Sequence, residues 1–517
     1  MKSDCVSKRA AGVLLHISSL PGSYGIGTLG KEAYRFIDIL HERKIRYWQV
    51  LPLVQTSFGD SPYQSEYSGS GNPYFIDPEI LLSKGLLTEE EVAGCVTENN
   101  EVDYGSLYYS KYAMLRKAFS RFNTDGAAFK KFVRTEKFED YALFTAIKHV
   151  HGGASFDKWE KPLRYADKSA LEQFKKDYRE EYLFRLFLQY EFLSEWKELK
   201  KYANKNGVKI IGDIPLYVAY DSADVWKNPA LFKLDKNLKP KKVAGVPPDY
   251  FSATGQLWGN PVYKWSEHKK TNFEWWTDRF RRAFELYDVV RVDHFRGFDR
   301  YYEIGAGEST AVNGKWIAGP KNALFKAVKS ALGTPDIIAE DLGTLDEGVY
   351  RLLKTTGFPG MKVIEFAFDG NPDNPYLPHN ITENSVCYTG THDNDTLIGF
   401  VKSLDDGSKA RLFGMINKCF EDFKNKDYGK NAEAVENNAF ASATDVKSAA
   451  VAMTYIALQS RANLTVVPVQ DIMLTGSETR MNVPSSCEGN WRFRLKDFDI
   501  PAFDNFYNLC KKTGRTH

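Results

Sequence analysis

The chain has 517 residues, 43% of them hydrophobic and 26% charged, a composition typical of a soluble globular protein with a large core. Its 69 basic and 67 acidic side chains leave a net charge of +2, which excludes the charged surface that nucleic acid or an acidic membrane would require. The six cysteines are scattered and form no CxxC pair. No apolar stretch has the length of a signal peptide or a membrane span. Together these features predict a cytoplasmic protein.

Short β-type runs alternate with helical stretches along the chain, as they do in α/β proteins. In chain order, the predicted strands cover residues 12–18, 47–53, 209–216, 288–295, 336–341, 361–368, 385–391 and 464–473. The stretches between them show helical periodicity, as Phe273, Trp276 and Phe280 do ahead of the fourth strand. Eight such units predict a closed parallel (β/α)8 TIM barrel.

A barrel of this kind needs about 250 residues, so much of the chain must lie in insertions at the C-terminal rim. We predict one catalytic domain over residues 1–517, with a helical insertion subdomain at 75–205 and a second helical insertion at 396–445. Residues 217–270 are rich in Pro, Gly, Tyr and Trp and predict a long loop at a substrate cleft. Too few residues follow the last strand for a C-terminal β-sandwich, which needs roughly 100.

Three acidic residues, Asp293, Glu340 and Asp393, each stand at the C-terminal end of an apolar run. Barrel enzymes place their chemistry where such strands end, so we expect all three at one rim. Strand alternation puts Arg291 on the same face as Asp293, where its positive charge should keep that carboxylate ionised. Glu340 follows three apolar residues, and an apolar setting raises a carboxyl pKa toward the protonated form of a general acid. Two carboxyls with opposite roles suit glycosidic bond cleavage.

Other interpretations of these residues remain open at this level. Each acid taken alone is as well explained as a cap of the following helix or loop. The neighbouring His294 and His392 favour a functional site, since either imidazole could donate a hydrogen bond to a sugar hydroxyl. Carboxylates and histidines also bind metals, and residues 149–151 form the HxH pattern of some barrel metallohydrolases. That pattern lies in a predicted helical insertion and not at the end of the first strand, so we predict no metal site.

Several motifs carry a family resemblance. RVDHFRGF, IIAEDLG and YTGTHDNDT resemble the catalytic motifs of the amylomaltase or 4-α-glucanotransferase family, the disproportionating enzymes related to α-amylases. Further similar segments, such as SPYQS, GDIPLYVAYDSADVW and GQLWGNPVY, extend the resemblance over residues 10–500. It implies a retaining enzyme that transfers a segment of α-1,4-glucan to a 4-OH group of glucose or a maltodextrin through a covalent glucosyl-enzyme intermediate.

The resemblance also implies roles for individual residues. Asp293 would be the nucleophile, Glu340 the general acid and then base, and Asp393 the acid that holds sugar hydroxyls and helps to distort the ring. The residues implied to contact the sugar are Arg291, His294, His392, Asp213, Ser61, Tyr63, Trp258, Tyr250 and Phe251.

Among these, Tyr63 and Trp258 would stack on sugars, while Tyr250 and Phe251 would lie on a loop over the cleft. If that loop keeps water out while an acceptor sugar is bound, the intermediate survives until a sugar hydroxyl attacks it. No metal or organic cofactor is implied. The implied partners are maltodextrins, starch or glycogen fragments and glucose, without nucleic acid or membrane.

The chain departs from the family pattern in places: EYSGSG follows SPYQS, Glu365 occupies a position that is often Gln, and SSC precedes EGNW. These departures leave open which acceptor and which glucan chain length the enzyme prefers. Two alternatives to transfer also stay open. One is a hydrolase with the same residues, in which water replaces the acceptor; the other is an inactive starch-binding protein, against which the complete set of acids argues.

Overall fold

The computed structural model describes residues 8–56, 58–97, 99–248, 252–425, 442–484, 486 and 488–516. In chain order its strands are β1 (Ala10–Leu14), β2 (Tyr47–Gln49), β3 (Lys209–Ile214), β4 (Lys242–Val246), β5 (Gln256–Pro261), β6 (Val289–Val292), β7 (Arg300–Gly305), β8 (Lys315–Ala318), β9 (Ile337–Ala339), β10 (Gly360–Val363), β11 (Ser385–Tyr388) and β12 (Leu464–Pro468).

Eight strands of the described part of the chain close into a barrel in the order β1-β12-β11-β10-β9-β6-β3-β2. Every neighbouring pair is parallel. The predicted TIM barrel is therefore confirmed, and each predicted strand region overlaps one barrel strand. Several predicted strands extend too far: the last one continues into a helix after Pro468, because a short apolar run does not by itself distinguish a strand from a buried helix.

The barrel strands are buried on both faces, which explains why they are continuous apolar runs in the sequence. Glycine is required where two elements approach closely. A Cβ on Gly212 of β3 would lie 2.1 Å from the ring of Tyr287, the residue before the turn into β6. The Tyr287 hydroxyl accepts a hydrogen bond from the backbone N–H of Leu53, so this ring ties β3 to the loop after β2.

An antiparallel sheet with the order β5-β4-β7-β8 stands beside the barrel. Strands β4 and β5 lie in the region 217–270, which the sequence predicts to be a loop, and β7 and β8 follow β6. The strands were missed because Gly245, Gly259 and Pro261 interrupt the alternation expected of a strand. This sheet brings β5 to the C-terminal rim of the barrel, where it meets the candidate site.

Helices surround the barrel and fill the insertions. In chain order they are α1 (Lys31–Glu42), α2 (Pro78–Ser83), α3 (Glu89–Ala93), α4 (Tyr104–Arg121), α5 (Ala127–Thr135), α6 (Glu139–Val150), α7 (Lys161–Arg164), α8 (Lys168–Asp177), α9 (Arg179–Lys205), α10 (Ala223–Lys227), α11 (Trp265–Lys270), α12 (Glu274–Leu286), α13 (Arg296–Asp299), α14 (Asn322–Leu332), α15 (Glu347–Thr356), α16 (Leu397–Ser403), α17 (Asp406–Asn425), α18 (Val446–Gln459), α19 (Val469–Ile472) and α20 (Ile500–Lys512).

Helices α2 to α9 lie in the region 75–205, and α16 and α17 lie in the region 396–445, of which residues 426–441 are outside the described residues. Short 3-10 helices are found at Ile17–Ser19, Phe58–Asp60, Pro73–Phe75, Phe156–Lys158, Pro229–Leu231, Ile364–Phe366 and Ser477–Thr479. A search of the described helices finds none with the length and apolarity needed to cross a bilayer.

A buried arginine near the C-terminus of the chain lies at the N-terminal end of the barrel. Arg515 has no exposed surface, and its guanidinium donates hydrogen bonds to five backbone carbonyl groups. The acceptors belong to Ala10, Leu458, Ser460, Ala462 and Asn463. They lie in β1, at the C-terminal end of α18 and in the turn that leads into β12. One side chain therefore joins β1 and the start of β12 to α18, the helix that precedes β12.

We expect Arg515→Ala to lower the free energy of unfolding by about 3 to 5 kcal/mol, because it removes a fully buried side chain together with its five hydrogen bonds. The carbonyl groups of Leu458 and Ser460 keep a donor in Arg9, and that of Asn463 keeps one in the backbone N–H of Ala10. Denaturant unfolding of the wild type and the variant measures the difference. Arg461→Ala, at an arginine whose side chain is 57% exposed, is the matched control and should change stability little. Equal losses in the two variants would contradict a structural role for Arg515.

Candidate active site

A cavity opens at the carboxyl ends of the barrel strands and holds about 1060 Å³ of space when the part that is open to solvent is counted. The acids that stand at the strand ends in the sequence, Asp293 after β6, Glu340 after β9 and Asp393 after β11, all lie in its wall. Its other lining residues are Ser61, Tyr63, Gln64, Pro215, Leu216, Tyr217, Gln256, Trp258, Asn260, His294, His392, Asn482, Pro484 and Trp491. Parallel strands bring these distant parts of the chain to one rim because their carboxyl ends all face the same way.

Asp293 is held by a buried arginine. The Nη2 atom of Arg291 lies 3.0 Å from Asp293 Oδ1, and its Nη1 atom lies 2.5 Å from Asp213 Oδ2. The Arg291 side chain is 5% exposed and that of Asp293 is 29% exposed. Arg291 thus places a permanent positive charge against Asp293, which lines the cavity.

Asp213 lies behind the cavity wall and not in it. Its side chain has no exposed surface, and its Oδ2 atom also accepts a hydrogen bond of 2.8 Å from the Tyr63 hydroxyl. Asp213 and Arg291 are not among the residues that line the cavity, and their direct contact with a sugar, which the resemblance implied, stays a prediction. The structure instead makes Asp213 the counter-charge of Arg291 and the partner that orients Tyr63.

Glu340 has a different environment from Asp293. Its Oε2 atom accepts a hydrogen bond of 2.7 Å from the backbone N–H of His294, and its Oε1 atom accepts one of 2.7 Å from that of Leu342. His294 takes the left-handed backbone conformation, with φ of 49°, at the point where its N–H meets the carboxyl group. Burial, reinforced by the negative charge of Asp293, raises the pKa of Glu340 to about 7.

One wall of the cavity is formed by the side chains of His294, Trp258 and Gln256. The rings of His294 and Trp258 meet edge to face with their centroids 4.9 Å apart, and the indole N–H of Trp258 donates to Gln256 Oε1 at 3.0 Å. Burial lowers the pKa of His294 to about 4, so its imidazole is neutral at pH 7. This wall offers a flat apolar face together with neutral polar groups.

The opposite wall is formed by Tyr63, His392 and Trp491. Tyr63 stacks on His392 with ring centroids 5.1 Å apart, and Trp491 lies 5.8 Å from each of them. Beside them, Asp393 is 48% exposed, and its Oδ1 atom accepts a hydrogen bond of 2.6 Å from Asn482 Nδ2. Asp393 is therefore the most solvent-accessible of the cavity's acids.

Not every residue expected at the site can be placed. Ser61, Tyr63, Trp258, His294 and His392 line the cavity, whereas Tyr250 and Phe251 lie outside the described residues.

Nine residues of the cavity wall were not predicted from the sequence, among them Trp491, Asn482 and Gln256. The segments that contain them matched the family motifs, but a motif outside the acids does not reveal which of its residues faces the cavity.

The histidines at 149 and 151 are away from the cavity. The ring of His151, directly after α6, bonds to the carbonyl group of Ile147 and to Glu160. Across the residues that the structure describes, no group of three or more His, Cys, Asp or Glu side chains is placed to hold a metal ion.

Comparison with known proteins supports the motif-based resemblance. A family model described as 4-alpha-glucanotransferase matches residues 15–500. The 4-alpha-glucanotransferase of Clostridium butyricum is 46% identical over 510 residues, covering 97% of this chain and 100% of that protein. The 4-alpha-glucanotransferase of Thermus thermophilus is 43% identical over 496 residues, covering 94% and 95%.

Among solved structures, the amylomaltase from Streptococcus agalactiae in complex with acarbose superposes with a TM-score of 0.89 at 37% identity. That match covers 99% of this chain and 100% of the amylomaltase. The family resemblance predicted from the motifs is thereby confirmed.

We expect Asp293→Asn to lower the pKa of Glu340 below about 7, because the change removes a negative charge that raises it. Infrared or 13C NMR titration of the carboxyl signal that disappears in Glu340→Gln measures this pKa. Asp393→Asn is the matched control, since Asp393 does not contribute to the shift. An unchanged titration midpoint in Asp293→Asn would contradict electrostatic coupling between the two carboxyls.

Proposed function

The chain belongs to the 4-alpha-glucanotransferase family, and we propose that Asp293, Glu340 and Asp393 carry out glucan transfer in the barrel cavity. Its activity is that of a 4-alpha-glucanotransferase, which moves a segment of one α-1,4-glucan onto another. The observation that carries the assignment of residues is the contrast between two carboxyls of one cavity. Asp293 is paired with a buried arginine, whereas Glu340 is buried against two backbone N–H groups.

In the first half of the reaction, an Asp293 oxygen attacks the anomeric carbon of the donor. Because Oδ1 lies 3.0 Å from Arg291 Nη2, we assign the attack to Oδ2. As the bond between the anomeric carbon and the glycosidic oxygen breaks, Glu340 gives its proton to that oxygen and the leaving glucan departs with a new 4-OH group. A covalent glucosyl ester on Asp293 and an ionised Glu340 remain.

In the second half, the 4-OH group of an acceptor gives its proton to Glu340 and its oxygen attacks the anomeric carbon. The ester bond to Asp293 breaks, so both carboxyls return to their starting states. Two displacements retain the anomeric configuration, which requires the two carboxyls to lie about 5 to 5.5 Å apart in the complex. We propose this separation for the substrate-bound site.

The surroundings of Glu340 suit both of its tasks. Burial and the charge of Asp293 favour the protonated acid of the first step, while the N–H groups of His294 and Leu342 stabilise the carboxylate of the second. These opposing influences leave the pKa of Glu340 at about 7, near the pH at which a group can act as both acid and base.

We propose that the aromatic walls hold the sugar rings. Tyr63 and Trp258 both line the cavity, and the imidazoles of His294 and His392 can hydrogen-bond to sugar hydroxyls. Asp393, oriented by Asn482, would accept hydrogen bonds from hydroxyls of the ring at the bond that is cleaved. Such contacts strengthen as the ring distorts toward the transition state.

The substrates we propose are maltodextrins, starch or glycogen fragments, and glucose as an acceptor. The solved Streptococcus agalactiae amylomaltase contains acarbose, and this chain matches that protein along its whole length. We also propose a cytoplasmic location. Cys95, Cys387, Cys419 and Cys510 are free thiols, the state that a reducing compartment maintains.

We further propose that residues 1–517 form one catalytic domain whose insertions build the cleft. Residues Tyr217, Gln256, Trp258 and Asn260, all in the region 217–270, line the cavity. The covering role of Tyr250 and Phe251 stays a prediction, as do the insertion boundaries at 75–205 and 396–445.

Incubation of the pure protein with maltotriose tests the function directly. Transfer produces glucose together with chains longer than the trimer. A hydrolase would release only glucose and maltose, and an inactive binding protein would leave the trimer unchanged. Products longer than maltotriose support the assignment, and their absence would overturn it.

We expect Asp293→Asn to lower kcat by at least about a thousandfold while maltodextrin binding persists, because the amide keeps the shape but is not a nucleophile. Transfer from maltotriose and calorimetric binding of a longer maltodextrin measure the two effects. Asp406→Asn, at a fully exposed residue of α17, is the control and should retain activity. Near-wild-type turnover in Asp293→Asn would overturn the nucleophile assignment.

The pKa of Glu340 predicts the alkaline side of the pH profile. Above pH about 7 the acid loses its proton, so kcat/KM for the donor should fall about tenfold for each pH unit. Initial rates with maltotriose between about pH 5 and pH 9 measure the profile. A flat rate across this range would show that protonation of Glu340 does not limit transfer.

A further inference from the structure

Two segments of the chain meet at Asp393. One is the turn after β11, residues 391–395, and the other is the segment 477–482, which follows α19. The Ser477 hydroxyl donates to Asp395 Oδ2 at 2.7 Å, and Asn482 Nδ2 donates to Asp393 Oδ1 at 2.6 Å. The second segment therefore supplies a hydrogen bond that orients the Asp393 carboxylate.

The guanidinium group of Arg480 bridges the same two segments. Its Nη2 atom donates to the backbone carbonyl oxygen of Asp393 at 2.6 Å, and its Nε atom donates to that of Asn482 at 2.8 Å. Because the guanidinium is planar and rigid, it fixes the two carbonyl groups relative to each other. These groups belong to the two residues whose side chains meet, so Arg480 sets the distance over which the Asn482 amide reaches the Asp393 carboxylate.

The backbone on both sides of Arg480 is anchored separately from Asp393. Gln470 Nε2, on α19, donates to the Thr479 carbonyl group at 3.1 Å, and the Trp491 N–H donates to the Met481 carbonyl group at 2.7 Å. A fixed segment thus carries Arg480, and the turn with Asp393 is held against it.

The contacts of Arg480 use the direction of its N–H groups. Within the described residues, both hydrogen bonds that its side chain donates go to backbone carbonyl groups, and neither goes to a carboxylate. A lysine would keep the positive charge, but its ammonium group is a point charge on a flexible stem and lacks the planar fork. A side chain with the same charge and a different shape should therefore fail in this position.

We propose that Arg480 is a positioning residue, which holds the Asp393 carboxylate in the cavity by joining the backbone carbonyl groups of Asp393 and Asn482. This inference rests on the proposed role of Asp393 in transfer. Arg480 is not among the residues that line the active-site cavity, so it acts through Asp393 and Asn482 and not on the sugar. The third acid of the site then depends on a residue 87 positions further along the chain.

Two substitutions separate direction from charge. Arg480→Lys keeps the charge, and Arg480→Met keeps most of the stem. Both should lower kcat for transfer from maltotriose about tenfold and change KM by less than about twofold, since a misplaced carboxylate mainly affects the transition state. Arg411→Lys, at an exposed arginine of α17, is the matched control and should keep wild-type kinetics. A wild-type kcat in Arg480→Lys, with or without a changed KM, would overturn the inference.

A double-variant cycle separates positioning from a general effect on the fold. If Arg480 acts through Asp393, then Arg480→Met should lower kcat by less than about twofold in the Asp393→Asn background, because no carboxylate remains to be placed. Long incubations with maltotriose measure the residual rates. A residue that only stabilises the fold would lower kcat by the same factor in both backgrounds, and that result would contradict the positioning role.

The outcomes distinguish this inference from the proposed function. If Asp393→Asn keeps full transfer activity, the assigned role of Asp393 fails. If Asp393→Asn loses activity and both Arg480 variants keep it, the positioning role of Arg480 is overturned. Should Arg480→Met fail to fold, Arg480→Lys still decides through its kcat and KM, because it keeps the charge and changes the shape of the cationic group.

Discussion

The candidate site depends on a guanidinium buried between two carboxylates. Arg291 pairs with Asp213 on one side and with Asp293 on the other, and its own side chain is almost wholly removed from water. A buried charge without compensation is strongly destabilising, so the two carboxylates stabilise the arginine in its buried position. The register of β3 and β6 places Asp213 directly opposite Arg291, which makes this arrangement a consequence of strand order.

From that pairing follows the difference between the two central carboxyls. Asp293 has a cation in contact, whereas Glu340 on the next strand of the barrel has backbone N–H groups and the negative charge of Asp293. The same chemical group thus lies against a permanent cation in one place, while in the other burial raises its pKa to about 7. Backbone geometry contributes as well, because the left-handed conformation of His294 directs its N–H at Glu340.

The third acid is held in another way. Asp393 lies on an exposed turn and has no arginine pair comparable to that of Asp293 among the described side chains. Its position is determined by hydrogen bonds from Asn482 and Arg480 and by the internal bonds of the turn. A turn of this kind is easier to displace than a strand end inside the barrel, so its supports must come from neighbouring elements such as the region of β10 and the segment after α19.

Much of this arrangement was already determined by the sequence alone. Apolar runs located the barrel strands, the acids stood at their ends, and alternation put Arg291 beside Asp293, because these features depend on residues close together in the chain. The motifs also identified the family. Strand boundaries and the antiparallel sheet were less predictable, since short apolar runs are ambiguous and glycines interrupt β4 and β5.

Tertiary structure alone decided which distant residues meet. The pairing of Arg291 with Asp213 and the stacking of Tyr63, His392 and Trp491 join elements far apart in the chain. No local pattern encodes such contacts, because they arise from the order and register in which the barrel strands close and from the loops that this closure brings together.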